Sequence, residues 1–315
     1  MHCHVFIPDF FGSVGTAGDH PAAAAQTLLA RGRRKRTAAV APEAWLFERF
    51  GVPRKRDWPV APYTLLADGG APGADFWMRA DPVHLNVGRD TLALGGTPLD
   101  LSRAEAESLA ATLNLHFDGA LAFQALRPER WYIRFAEAPE VETTPASVAR
   151  GTAIGDKLPT GKDAMRFRTL LNEVQMLLHE HPVNTEREAR GASSVNSVWL
   201  WGGGELEAPP VRAFSIVLAD DPLARGLALA AGIPAKTALS SLPEEGKALV
   251  VIDAPRGADL ERDWFAPLLA AIEEGRIGML SLYLGGERSL LEVETVRSDL
   301  RYFWRTRKPL ESYLA

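Results

Sequence analysis

Residues 248–255 read ALVVIDAP. The apolar run carries no polar alternation and stops at Asp253, two residues before Pro255. A strand with one wet face alternates, so an unbroken apolar strand is covered on both faces. GMLSLYLGG at 278–286 has the same character, and WFAPLLAAIEEG at 264–275 between them has the length and spacing of a helix. ARGLALAAG at 224–232 adds a short helix upstream, and HVFIP at 4–8 is a further apolar strand ended by Pro8 and Asp9. Apolar strands alternating with helices predict an α/β fold, a mainly parallel sheet with helices on both faces.

Composition narrows the function classes. The chain has 315 residues, 46% apolar and 24% charged, so a buried core is expected and disorder is not. The net charge of −5 argues against nucleic acid as the main partner. Cys3 is the one cysteine, which excludes an internal disulfide and a four-cysteine zinc site. No apolar run reaches the roughly 18 residues of a membrane span, and no secretory leader pattern opens the chain. The expectation is a soluble cytoplasmic protein that contacts neither membrane nor nucleic acid.

The middle of the chain is organised differently. LDLSRAEAESLAATLNLHF at 99–117 is the strongest helix signal, with Ser102 and Glu105 spaced as a capping box and Leu109 and Leu113 on one face. RWYIRF at 130–135 follows as a strand. Residues 75–140 therefore read as a small inserted α/β domain, and 1–74 with 141–315 as the core. A second amphipathic helix spans 162–181. The proline- and glycine-bearing stretch 53–73 reads as loop, and RGRRKR at 31–36 as a solvated helix end. NSVWLWGGG at 196–204 reads as an inner strand of the main sheet. Trp199 and Trp201 share one face, and the glycines turn beside Asp9 or Asp253.

Ligands in a parallel α/β sheet bind at the carboxyl ends of the strands. Asp9 and Asp253 stand there. HPVNTEREARG at 181–191 places Asn184, Arg187 and Arg190 together, and arginines three apart on a helix can fork onto an anion. The bland alternative pairs them with Glu186 and Glu188 on the surface. His2 and His4 share a strand face, but alternation sends Cys3 to the other, which leaves two ligands rather than three. No phosphate-cradling glycine loop or nucleophile elbow follows a strand.

RADPVHL at 79–85, NEVQMLLHEHPVN at 172–184, REARG at 187–191 and NSVWLWGGG at 196–204 together resemble the RpfE-type regulatory protein family. FGVPRKRDWPVAP at 50–62 and RPERWYIRF at 127–135 fit the same resemblance. More distantly, the HPVN block before the tryptophan strand, with ADFWMRADPVHL at 74–85, is similar to archaeal-type cofactor-independent phosphoglycerate mutases. That likeness implies an alkaline-phosphatase-like core with an inserted α/β domain, two metal ions (manganese or zinc) and a serine nucleophile. Asp9 matches the first ligand aspartate. The serine–aspartate pair would fall at Pro42 and Glu43, and proline is no nucleophile. The family's later histidine ligands find no counterpart in DAPRGADLERD at 253–263 or LYLGGERS at 282–289.

These departures favour a catalytically degenerate protein with a regulatory or small-anion-binding role and no cofactor. Arg79, Asn184, Arg187, Arg190 and Asn196 are the expected ligand-binding residues for a phosphorylated or carboxylated metabolite, and a protein partner is the other expected contact. Asp9 and Asp253 are the residues for any surviving metal. The alternatives are an active phosphotransferase with ligands from Asp9, Asp253, Asp259 and Asp263, and an interaction scaffold using residues 53–72.

Overall fold

The computed structural model describes residues 1–14, 22–88, 92–96, 99–238, 243, 245–253 and 259–313. It has an α/β fold that separates into two compact units. Residues 1–52 and 210–315 form the first, and residues 53–209 the second.

The first unit holds a sheet of seven described strands. They are β1 (His2–Ile7), β2 (Arg33–Ala38), β11 (Ile216–Ala219), β12 (Ala235–Lys236), β13 (Lys247–Val251), β14 (Met279–Gly285) and β15 (Ser289–Val296). The order is β12-β11-β13-β1-β14-β15-β2. The five strands from β12 to β14 pair in parallel, and β15 and β2 close one side antiparallel. The apolar strands of the sequence are thus the central parallel ones. Cys3, Val5 and Ile7 face a core with Leu28 and Leu29 of α2 (Ala23–Arg31) and Leu268 and Ile272 of α10 (Ala266–Glu273). On the opposite face Phe6 stacks on Trp45 of α3 (Pro42–Arg49) at 4.2 Å. α1 (Phe10–Val14) follows β1, and α9 (Pro222–Ala230) follows β11. Gly285 ends β14 so close to the turn after β1 that a Cβ would lie 1.8 Å from the Pro8 carbonyl. Only glycine fits there, and this approach fixes the turn that carries Asp9.

The second unit is built on a four-stranded antiparallel sheet of order β10-β3-β7-β6. Its strands are β3 (Phe76–Val83), β6 (Ala122–Arg127), β7 (Arg130–Phe135) and β10 (Ser197–Gly204). Two short hairpins, β4 (Leu85–Val87) with β5 (Leu92–Leu94) and β8 (Val141–Glu142) with β9 (Thr160–Gly161), flank it. α5 (Arg103–Phe117) and α7 (Ala164–His179) bury Leu109, Leu113, Phe167 and Val174 against Met78, Ala80, Val198 and Leu200. α4 (Val60–Ala67) packs on β10, and α6 (Ala146–Ala149) and α8 (Pro182–Ala189) complete the unit.

Several expectations change here. The tryptophan strand β10 lies in this second sheet, antiparallel and at its edge, not inside the parallel sheet. It imitates an inner strand because both faces are covered. Val198 and Leu200 join the helix-backed core, while Gly202, at φ +65°, brings Val60 of α4 within 2.8 Å of where a Cβ would stand. The stretch 53–73 holds helix α4, whose Pro62 falls in the first turn, where no intrahelical donor is lost. The 31–36 cluster ends α2 at Arg31 and continues as edge strand β2, not as a helix end. The expected insert, 75–140, falls inside the larger second unit. The capping box stands as expected, with Ser102 Oγ accepting from the Glu105 amide (3.2 Å) and Glu105 from the Ser102 amide (2.7 Å).

Candidate functional site

Three carboxyl-bearing turns meet at the carboxyl end of the parallel sheet. β11, β13 and β1 are neighbours, with Ala219 beside Val251 and Val251 beside Phe6. Asp221, Asp253 and Asp9 each follow their strand by two residues. Asp9 and Asp253 are exposed and Asp221 is half-buried. Asp221 caps α9, accepting from the Ala224 amide at 2.7 Å. Burial first, and then the Glu43 and Asp253 carboxylates, push its pKa up to about 6. Glu43 is buried in the first turn of α3, whose first residue is Pro42.

Among the described residues the donor set here does not fit a pair of metal ions, which needs several ligands about 4 Å apart. Among the described residues no three His, Cys, Asp or Glu side chains are grouped to hold a metal. Asp259 and Asp263 serve Arg262: Asp259 accepts its amide (3.0 Å) and Asp263 its Nε (2.7 Å). The loop 254–258 between them and Asp253 lies outside the described residues, as does His20. Asp221 escaped the sequence reading, although an aspartate just past an apolar strand and before Pro222 carries both the strand-end and the helix-cap signal.

His2 and His4 lie on one face, their ring centroids 3.9 Å apart. His2 Nε2 meets Ser281 Oγ at 3.0 Å, and His4 Nδ1 meets Tyr283 Oη at 3.1 Å. Burial, with His2, Lys247 and Arg49 adding to it, pushes the His4 pKa down to about 3. His4 is therefore neutral at physiological pH, and Cys3 is buried in the core of the opposite face.

The five expected ligand-binding residues all lie in the second unit. Arg79 on β3 is buried and donates from Nε (2.9 Å) and Nη2 (2.6 Å) to Asp81 Oδ1. Trp201 Nε1 donates to the other oxygen of Asp81 at 2.8 Å, and the guanidinium lies over the Trp201 and Tyr132 rings at 5.2 and 5.5 Å. Arg187 and Arg190 come together on Glu105 Oε1, at 3.0 and 2.6 Å, not on Glu186 or Glu188. Arg187, with 2% side-chain exposure, also donates to the carbonyls of Ser193 and Asp100. Burial raises the Glu105 pKa, but the Ser102 bonds and the two arginines outweigh it and hold the carboxyl at about 2.

Asn184 bridges Leu178 and Val195, donating to both carbonyls and accepting the Val195 amide. Asn196 exchanges two hydrogen bonds with the Leu85 backbone (2.7 and 2.9 Å). A cleft of about 540 Å³ opens beside it, lined by Leu85, Leu92, Met176, His179 and Glu180 among others; none of the three arginines lines it.

No family model matches the chain. Among curated proteins, it is 34% identical over 154 residues to a 2,3-bisphosphoglycerate-independent phosphoglycerate mutase of Methanosarcina acetivorans, covering 45% of this chain and 37% of the relative. The corresponding protein of Methanosarcina mazei is 32% identical over 173 residues, covering 51% of this chain and 41% of the relative. The matches thus span about two fifths of those relatives' own length. Among solved structures, a cofactor-independent phosphoglycerate mutase of Thermoplasma acidophilum aligns over 98% of this chain and 94% of its own, with 16% identity and a TM-score of 0.48. A Pyrococcus horikoshii protein aligns over 92% of this chain and 86% of its own, with 12% identity and a TM-score of 0.49. On its sequence matches, the chain is a distant relative of archaeal-type cofactor-independent phosphoglycerate mutases.

Proposed function

We propose that the chain is a catalytically degenerate relative of these mutases that works by binding rather than by turnover. One observation carries the reading: Pro42 opens helix α3 where the resemblance calls for the nucleophilic serine. A pyrrolidine ring offers no hydroxyl to attack a phosphoryl group. The arginines are consistent with this, since Arg79 pairs with Asp81 and Arg187 and Arg190 share Glu105 within the fold. Arg190, with 53% side-chain exposure, is the one a small phosphorylated or carboxylated metabolite can reach, by displacing Glu105. The RpfE-type resemblance gives such binding a regulatory setting, in the cytoplasm and with a protein partner.

The test is interconversion of 3- and 2-phosphoglycerate by the purified protein, with and without manganese. No turnover is expected, and Pro42→Ser alone should not restore it. A rate within the usual enzyme range of about 1–1000 per second would refute the reading. A second reading, an active metal-dependent phosphotransferase, is favoured by Asp9, Asp221 and Asp253 ending adjacent parallel strands beside Glu43. The same assay decides between the two.

A further inference from the structure

The first unit distributes its charge unevenly. The whole chain stands at −5, yet residues 33–36 are four consecutive cations on edge strand β2. Residues 301–308 add Arg301, Arg305, Arg307 and Lys308. The two stretches are tied together. Arg305 Nη1 donates to the Arg31 carbonyl (2.9 Å), Arg31 Nη1 to the Leu300 carbonyl (2.8 Å) and Arg36 Nη2 to the Tyr313 carbonyl (2.6 Å). Carboxylates answer only part of this charge. Glu294 and Glu292 lie opposite Arg33 and Lys35 across the ladder, Asp299 turns inward to the Val296 amide, and Glu311 is exposed.

Cations on an edge strand discourage pairing with other chains. That accounts for residues 33–36 but not for the aromatic side chains in the neighbouring segment. Phe303 is 77% exposed and Trp304 63%. Two large aromatics held in water beside a cationic surface mark an interaction site.

We propose that this surface docks on the headgroup layer of an anionic lipid bilayer. Phe303 and Trp304 enter the interface, where aromatic rings favour the headgroup level. Arg34 and Arg36, on the strand face that meets Tyr313, and the cations of 305–308 meet the acidic headgroups, an attraction of short range that a negative net charge elsewhere on the chain does not cancel. Arg33 and Lys35 point to the other face, with Glu294 and Glu292. The ring geometry selects lipid over single-stranded nucleic acid. A nucleic-acid surface needs free ring faces on which bases stack. Here Trp304 meets Tyr302 and Phe303 edge-to-face at 5.2 and 5.3 Å, and Arg305 covers Tyr302 at 4.7 Å. The trio forms a wedge rather than a stacking platform.

Co-flotation of the full chain with vesicles of phosphatidylcholine, alone and with phosphatidylserine added, tests this. Binding is expected only with phosphatidylserine, and it should weaken as salt rises. Arg307→Gln with Lys308→Gln should weaken it at least about tenfold, each cation near a membrane surface being worth roughly a factor of five. Phe303→Ser with Trp304→Ser should abolish it. Quenching of wild-type tryptophan fluorescence by lipid brominated near the headgroup is a readout that needs no variant. Equal binding to both vesicle types, or no binding and no quenching, overturns the proposal. So does binding to a single-stranded oligonucleotide that displaces the vesicles, or a self-association that the Phe303/Trp304 change removes.

Discussion

Glu105 and Asp221 do the same local task and sit in opposite electrostatic surroundings. Each accepts a backbone hydrogen bond at the start of a helix, Glu105 in the capping box of α5 and Asp221 at the cap of α9. Glu105 lies under Arg187 and Arg190, and its pKa stands at about 2. Asp221 faces Glu43 and Asp253, and its pKa stands at about 6. In the second unit, then, the arginine-rich block is closed upon carboxylates of its own fold. In the first, Asp221 stands among like charges at the carboxyl ends of parallel strands, where this class of fold receives ligands.

The two groups give opposite pH dependences. Glu105 has its folded pKa below the ordinary 4.5, so its contribution is present above about 4.5 and is lost as pH falls toward about 2. Asp221 has its folded pKa above the ordinary 3.8, so its contribution is present below about 4 and is lost as pH rises through about 6.

The largest effect should come from breaking the second unit's closed network. Arg79→Met leaves Asp81, at 3% side-chain exposure, as a buried charge without its partner. A loss of about 3–5 kcal/mol is expected by urea unfolding, with much of it recovered when Asp81→Leu is added. If Arg79→Met is neutral, the network is not closed. Trp201→Ala should cost a similar 3–5 kcal/mol, because it removes a buried ring and the second donor to Asp81.

Glu105→Ala comes next, at about 2–3 kcal/mol, since it removes the cap bond and the charge facing buried Arg187. It should also flatten the acid limb of the stability curve. Asp221→Asn should act the other way. Asparagine caps as well as aspartate, and removing a charge that burial and then the neighbouring carboxylates disfavour should raise stability at pH 8 by about 2 kcal/mol while removing the slope between pH 4 and 6. A fall in stability at pH 8 would contradict the crowding of carboxylates around it. Glu186→Ala and Glu188→Ala should stay within about 0.5 kcal/mol, because the arginines answer to Glu105 instead.

That last contrast shows what the sequence could disclose. Apolar continuity in HVFI, ALVVI and LSLYL disclosed the parallel strands, because burial on both faces leaves no alternation. The same logic put Asp9 and Asp253 at strand ends, and Ser102 with Glu105 at a helix start. It misplaced β10 for the same reason: α4 and α7 cover both faces of an antiparallel edge strand, and periodicity does not record which sheet a strand joins. The arginines' partner was hidden by distance along the chain. Glu105 lies 82 residues from Arg187, whereas Glu186 and Glu188 are adjacent in sequence, and local spacing favours the nearer carboxylates. Asp221 was legible, but its crowding by Glu43 and Asp253 needed the sheet order.

The claim of degeneracy is tested most directly by the metal content of the purified protein after dialysis, read by mass spectrometry. A pair of ions needs several ligands about 4 Å apart, and among the described residues no three His, Cys, Asp or Glu side chains are grouped to hold a metal. The expected result is less than one equivalent of manganese or zinc per chain. Two equivalents, retained through dialysis and lost on Asp9→Asn or Asp253→Asn, would contradict it.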